Sequence, residues 1–139
     1  MPYIINKGNR VYNNYNGDNW ETIREVCCQS SNLIYMIKCE VCNIQYVGQT
    51  KRPFLKRMYE HLRNIKIGAD HSVARHFAVH GPIDTPPLSF QVLEFIHVDP
   101  DTDRAAFLRD VSEKVWICRL NCASPRGLNM IEPDYNTPQ

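Results

Sequence analysis

Leu33-Ile34-Tyr35-Met36-Ile37, followed after a short polar stretch by Ile44-Gln45-Tyr46-Val47-Gly48, is the part of the chain that decides the fold. The first five residues form an unbroken apolar run, the pattern of a strand buried on both faces. Ile44 to Val47 reads as a second short strand, stopped by Gly48. The intervening residues 38–43 are few and polar enough for a hairpin loop, so the two strands are expected to pair antiparallel.

Downstream of this hairpin, Pro53 suits the first turn of a helix. Leu55, Met58, Leu62 and Ile65 then recur at helical spacing, and Gly68 is placed to end that helix. A short helix fits residues 72–79, with Gly81-Pro82 as its stop. Leu88, Phe90 and Val92 alternate with Ser89 and Gln91, which predicts a third strand over 88–98. The alternation fails at Leu93, the mark of a bulge or of burial on both faces. The acidic turn from Asp99 to Asp103 suits a helix start, and a longer helix is expected over 104–120, ending before Pro125 and Gly127. Strand, strand, helix, helix, strand, helix describes an α+β domain, a small three-stranded antiparallel sheet flanked by helices. Residues 1–26, crowded with asparagine, read as a poorly ordered leader, 27–131 as the domain and 132–139 as a tail.

The 139 residues make one domain, and 43% hydrophobic residues suffice for an ordinary core. No apolar run approaches the ~20 residues a membrane span needs. The N-terminus lacks the charged start and apolar core of a secretory signal. Net charge is only +1, so bulk electrostatics selects no partner, but its distribution is uneven. Lys51, Arg52, Lys56, Arg57, Arg63 and Lys66 face Glu60 alone, a segment able to meet a polyanion. Asp99, Asp101, Asp103, Asp110 and Glu113 outnumber Arg104 and Arg109, a segment able to hold a cation. The plain alternative for both is a solvated helix face.

Six cysteines occur: Cys27, Cys28, Cys39, Cys42, Cys118 and Cys122. Without an export signal, paired cysteines suggest metal before disulfide and a reducing compartment, the cytosol or nucleus. Cys39 and Cys42 form a C-x2-C pair in the hairpin loop, half of a tetrahedral zinc site. His76 and His80, four apart on the short helix, share one face and complete the set. A closed four-ligand site is structural, a clip that pins the hairpin to the helix. His71 and Cys28 are possible substitutes within it, and Cys118 and Cys122 read as core. The bland reading is buried thiols and satisfied histidines.

Leu33-Ile34-Tyr35 and Tyr46-Val47-Gly48 resemble the paired GIY and YIG signatures of a nuclease superfamily. Lys56-Arg57 and His61 look like its arginine–histidine pair. Glu113, followed by Trp116-Ile117, looks like its metal-binding glutamate. Pro125-Arg126-Gly127-Leu128-Asn129 resembles its terminal asparagine segment. A C-x2-C between the two signatures, with histidines downstream, resembles the endonuclease domain of Penelope-like retroelements. Leu33 stands where the superfamily has glycine, and this chain contains no reverse transcriptase, the usual partner of such a domain. The resemblance implies a retroelement-derived, metal-dependent DNA endonuclease that nicks its substrate, using Mg2+ or Mn2+ at Glu113 and a separate structural Zn2+.

The residue types support that chemistry. A phenol titrates near ~10, so a tyrosine base needs cations beside it. Lys51, Arg52, Lys56 and Arg57 can supply them to Tyr46, the expected base, and to Tyr35, its partner or alternate. Arg57 and His61 lie one helical turn apart, one to hold phosphoryl oxygens and the other to orient phosphate or shuttle a proton. Glu113 shares its helix face with apolar residues and needs a partner, which is a divalent cation or else a salt bridge to Arg109 or Arg119. Asn129 braces the phosphate or the end of the sheet, against the ordinary reading of a turn residue. Lys51, Arg52, Lys56, Arg63 and Lys66 are the expected nucleic-acid contacts. Two other functions compete: an inactive, zinc-stabilised nucleic-acid-binding module, and a zinc-stabilised protein-interaction domain.

Overall fold

The computed structural model describes residues 4–5, 9–22 and 29–130. Nine elements follow in order: β1 (Ile4–Ile5), β2 (Arg10–Tyr12), β3 (Asn19–Glu21), β4 (Leu33–Cys39), β5 (Gln45–Thr50), α1 (Phe54–Ile67), α2 (Ser72–Val79), β6 (Leu88–Phe95) and α3 (Asp103–Leu120). The expected α+β arrangement is present. Strand β4 pairs antiparallel with β5 on one side and β6 on the other. The two-residue β1 adds a parallel edge to β6, for a sheet order of β1-β6-β4-β5. Leu93 is the extra residue of a bulge, because Ile34 faces Glu94 while Tyr35 faces Val92.

The continuous apolar run of β4 reflects its central position. Leu33, Tyr35 and Ile37 project into a cluster with Phe54, Met58 and Ile65 of α1 and Phe77 of α2. Ile34 and Met36 project the other way, against Trp116, Ile117 and Leu120 of α3. Alternation thus sends successive residues into two cores. Gly68 ends α1 in the left-handed conformation at φ 67°, and its N–H bonds Ile65. Thr102 caps α3, its hydroxyl accepting from the N–H of Ala105.

Three expectations need correction. Gly48 does not stop the second strand, which runs to Thr50. It lies opposite Tyr35 in the ladder, and any Cβ there would run into the Tyr35 ring. Glycine is required by a close approach and not by a turn. The third strand ends at Phe95, not 98, because the backbone turns where the Asn32 side-chain amide donates to the carbonyls of Ile96 and Val98. Finally, within the asparagine-rich region expected as a poorly ordered leader over 1–26, residues 10–21 form the β2–β3 hairpin, which places Val11 and Trp20 against the α3 core. Buried amides of the sheet hold it: Gln45 donates to the Tyr12 carbonyl at 3.0 Å and Gln91 to the Arg10 carbonyl at 3.0 Å. Cys27, Cys28 and the tail 132–139 lie outside the described residues.

Candidate functional site

Strand β5 is an edge strand, with α1 over one of its faces and α3 against the other. Both helices can therefore bring side chains to the same rim. Tyr35 and Tyr46 both join the α1-side core. The Tyr35 phenol oxygen is 2.6 Å from Nε2 of His61 and accepts from Nε of Arg57 at 3.1 Å. Arg57 is one turn before His61 on α1, and its Nη1 donates to Glu60 at 2.7 Å. Arg52 pairs with the same carboxylate. Tyr46 lies edge-on to His61, with ring centroids 5.6 Å apart.

His71 completes this group, and its expected alternative as a zinc ligand is corrected. It caps α2, with Nδ1 accepting from the N–H of Val73 at 3.1 Å. Its ring is 5.5 Å from both Tyr46 and His61. The readable signal was a histidine directly before the Ser72 helix start, where a side chain must cap the exposed N–H groups.

Electrostatics follow from burial and one shared cation. Burial raises Tyr35 well above the ordinary phenol range; Tyr46 and Glu113 add to this, and Arg57 draws it back. Tyr46 is raised by burial and by Glu113 and is likewise drawn down by Arg57. Burial opposes the charge of Arg57, but the two phenols and Glu60 outweigh it and keep the guanidinium protonated. Burial, Arg57 and His71 push His61 down to about 3, so it is neutral near pH 7. Its Nδ1 is buried without a hydrogen-bond partner among the described residues.

Glu113 approaches from α3. Its charge acts on both Tyr35 and Tyr46, and that of Arg57 acts on it in return. Burial raises its carboxyl, partly offset by a hydrogen bond from Gln49, whose amide also donates to Asp110 at 2.7 Å. The salt bridges expected as its ordinary alternative are not formed. Arg109 is buried and donates to Asn32 at 2.5 Å, while Arg119 lies 4.9 Å from the Trp116 ring centroid. Gln49 went unnoticed in the sequence, although strand alternation from Val47 puts it on the α3 side.

Asn129 braces the sheet. Its Oδ1 accepts from the Val47 N–H at 2.8 Å and its Nδ2 donates to the Val47 carbonyl at 2.7 Å. Of the basic residues expected to touch nucleic acid, Lys56, Arg63 and Lys66 are exposed along α1. Lys51 is paired with Asp101 at 2.7 Å and Arg52 with Glu60, so these two are not free cations.

A second cluster lies at the far end of the hairpin. Asn43, left-handed at φ 65°, closes the turn after β4. Donor atoms of Cys39, Cys42 and His76 all lie within 4.8 Å of one another, and Cys42 Sγ is 3.5 Å from His76 Nε2. Burial raises the Cys39 thiol, which a soft cation would offset, so two thiols and an imidazole fit zinc. His80 does not converge on the other three; its ring stacks on His76 with centroids 4.6 Å apart. Cys122 is core, its thiol pushed up to about 12 by burial, but Cys118 is exposed, contrary to expectation.

A family model described as the GIY-YIG catalytic domain matches residues 31–122. Among solved structures, the chain is similar to the catalytic domain of homing endonuclease I-TevI, with 27% identity and a TM-score of 0.53 over 71% of this chain and 97% of that one. It is also similar to a glutamate-to-alanine mutant of the catalytic domain of intron endonuclease I-TevI, with 27% identity and a TM-score of 0.57 over 74% of this chain and 96% of that one. Among curated proteins none matches. No helix among the described residues is long and apolar enough to cross a membrane.

Proposed function

The chain belongs to the GIY-YIG catalytic-domain family, and from that membership we propose that it is a metal-dependent DNA endonuclease that nicks the phosphodiester backbone. The observation that carries this is the convergence of Tyr35, Tyr46, Arg57, His61 and His71 on one rim that Glu113 reaches from another helix. A salt bridge alone would not need two phenols, two neutral imidazoles and a shared guanidinium.

Arg57, fixed by Tyr35 and Glu60, holds the phosphoryl oxygens and offsets charge that develops on them. Tyr46, the less buried phenol, accepts the proton of the attacking water as it passes its own proton to a neighbouring neutral imidazole. Tyr35 is a positioning residue, since its oxygen is engaged by Arg57 and His61. His61 and His71 are the neutral imidazoles that can pass a proton beside Tyr46. Glu113, a partly buried carboxylate held by an amide, would hold Mg2+ or Mn2+, which supplies charge stabilisation at the phosphate when bound. Lys56, Arg63 and Lys66 guide the backbone across α1.

Zn2+ at Cys39, Cys42 and His76 would tie the hairpin to α2. The C-x2-C between the two tyrosine motifs supports descent from a Penelope-like retroelement, with a reverse transcriptase as partner and an intracellular setting.

Supercoiled plasmid incubated with the full chain and Mg2+ tests the reading. Conversion to the open circle is expected, with Glu113→Ala and Arg57→Ala each slowing it by about a hundredfold or more. No conversion at any protein concentration, or equal conversion by both variants, would refute it.

A further inference from the structure

The residues of the proposed active site leave unexplained a cleft that opens beside Glu113. About 620 Å³ in volume, it follows the C-terminal half of α3 from Glu113 past Ile117 and Cys118 to Asn121, with Ala123 and Met130 as the opposite wall. Its size is that of a small-ligand pocket, ~300–1,000 Å³. Phosphodiester chemistry needs charge and hydrogen bonds, and Ile117, Cys118, Ala123 and Met130 offer mainly apolar surface. Met130 is left 64% exposed at the wall.

Glu113 belongs to both the cleft and the active-site rim, so an occupant of the cleft adjoins the scissile phosphate. What adjoins a backbone phosphate is a sugar and a base, flat and apolar on its face and polar at its edge. The cleft has the matching chemistry. Lys114 at the rim can meet the next phosphate. Asn121, left-handed at φ 57° where α3 ends, lines the cleft with a side-chain amide of the kind that pairs with a base edge.

The geometry points to a nucleobase subsite: the nucleotide next to the scissile phosphate leaves its stack and lays its base against Ile117, Cys118 and Met130, beside Asn121. This rests on the nuclease reading for the position of the phosphate and adds the conformation of the bound substrate. Unstacking a paired base costs a few kcal/mol, and less at a mismatch or in a single strand. Strands already open at that nucleotide are therefore the better substrates.

The test uses the full chain carrying Glu113→Gln, so that binding is read without cutting. A single-stranded oligonucleotide containing one 2-aminopurine, whose emission reports unstacking, is titrated in Ca2+. Cys118→Trp and Met130→Trp, added separately, fill the cleft from opposite walls at exposed positions. Binding with a change in emission is expected, weakened about tenfold by either tryptophan, which occupies the apolar surface that the base would bury. Absence of binding, or tryptophan variants that bind within about twofold of the parent, would overturn the subsite. Thermal melting followed by circular dichroism verifies folding, and if Cys118→Trp does not fold, Met130→Trp decides. Plasmid nicking with Glu113 intact judges the nuclease reading separately. Unimpaired nicking by the tryptophan variants sinks the subsite alone. Absence of nicking by the unsubstituted chain sinks the nuclease reading, while the aminopurine titration still decides whether the cleft takes a base.

Discussion

The phenol oxygen of Tyr35 lies 2.6 Å from Nε2 of His61, and both side chains are almost wholly shut off from water. Tyr46, by contrast, keeps part of its surface exposed at the same rim. The two phenols therefore have different duties. Tyr46→Phe is expected to lower kcat by about a hundredfold or more, the value of a general base, while leaving the unfolding midpoint nearly unchanged. Tyr35→Phe leaves His61 Nε2 without its partner in the interior and is expected to cost about 1–3 kcal/mol in urea unfolding, with a loss of activity through Arg57. Matching kinetic and stability losses in both variants would abolish this division.

His61 makes stability depend on pH. Its folded pKa is about 3 against an ordinary 6.5, chiefly because burial disfavours the charged ring. The unfolded chain therefore binds the proton first. The stabilisation is fully present above about pH 6.5 and is lost as pH falls towards about 3, with a slope that can reach about 1.4 kcal/mol per pH unit for this one proton. His71 and His76, also lowered by burial, act in the same direction. Urea unfolding of the full chain between pH 7 and pH 4 should show the decline, and His61→Gln should flatten it. An unsubstituted chain equally stable across that interval would contradict the assignment.

The main sheet and helices were legible because period and punctuation agreed in the apolar run 33–37 and the helical spacing from Leu55 to Ile65, while the failed alternation at Leu93 left a bulge or burial on both faces, of which the structure has the bulge. The site was legible where spacing is local, as for Arg57 and His61. It was illegible where tertiary packing decides. The place of His71 before the Ser72 helix start signals a cap but not the tyrosine and histidine rings it meets, Cys118 carries no sign of its exposure, and Gly48 looks like a stop until Tyr35 is laid across it. The β2–β3 hairpin was missed because three-residue strands leave almost no periodicity, and its anchors are amides of Gln45 and Gln91 far along the chain.

Those anchors make the hairpin part of the folded unit even though the family match begins at residue 31. Removing residues 1–22 would uncover the surface that Val11 seals and leave the buried Gln45 and Gln91 side chains without their carbonyl partners. Each lost hydrogen bond is worth about 0.5–1.5 kcal/mol net where water reaches the uncovered amide, and the lost apolar cover adds to this. The truncated chain should therefore unfold at markedly lower urea than the full chain. Coincident unfolding curves would show the hairpin to be an appendage.

Chelation tests the clip. If zinc ties β4 to α2 through Cys39, Cys42 and His76, its removal should lower the melting temperature, and re-addition of Zn2+ should restore it. Cys42→Ser should lower both metal content and melting temperature, whereas Cys118→Ser, at an exposed position outside the cluster, should change neither. Metal content measured by mass spectrometry on untagged protein decides; less than about half an equivalent per chain would count against the clip.

Asn129 offers the narrowest test, because one side chain satisfies both backbone groups of Val47 on the edge strand that carries Tyr46. The adjacent Leu128 N–H also bonds the Gln45 carbonyl, so the segment lies along the strand as a cover. Asn129→Ala should strand a buried donor and acceptor together and cost about 2–6 kcal/mol in urea unfolding. Asn129→Asp keeps an acceptor for the Val47 N–H but sets a second oxygen against the Val47 carbonyl, so it should be no better tolerated than alanine at neutral pH. Hydrogen exchange at the Val47 amide should accelerate in both variants. If Asn129→Asp matched the unsubstituted chain in stability and exchange, the two-way clamp would be wrong, and Asn129 would act on the substrate instead of on β5.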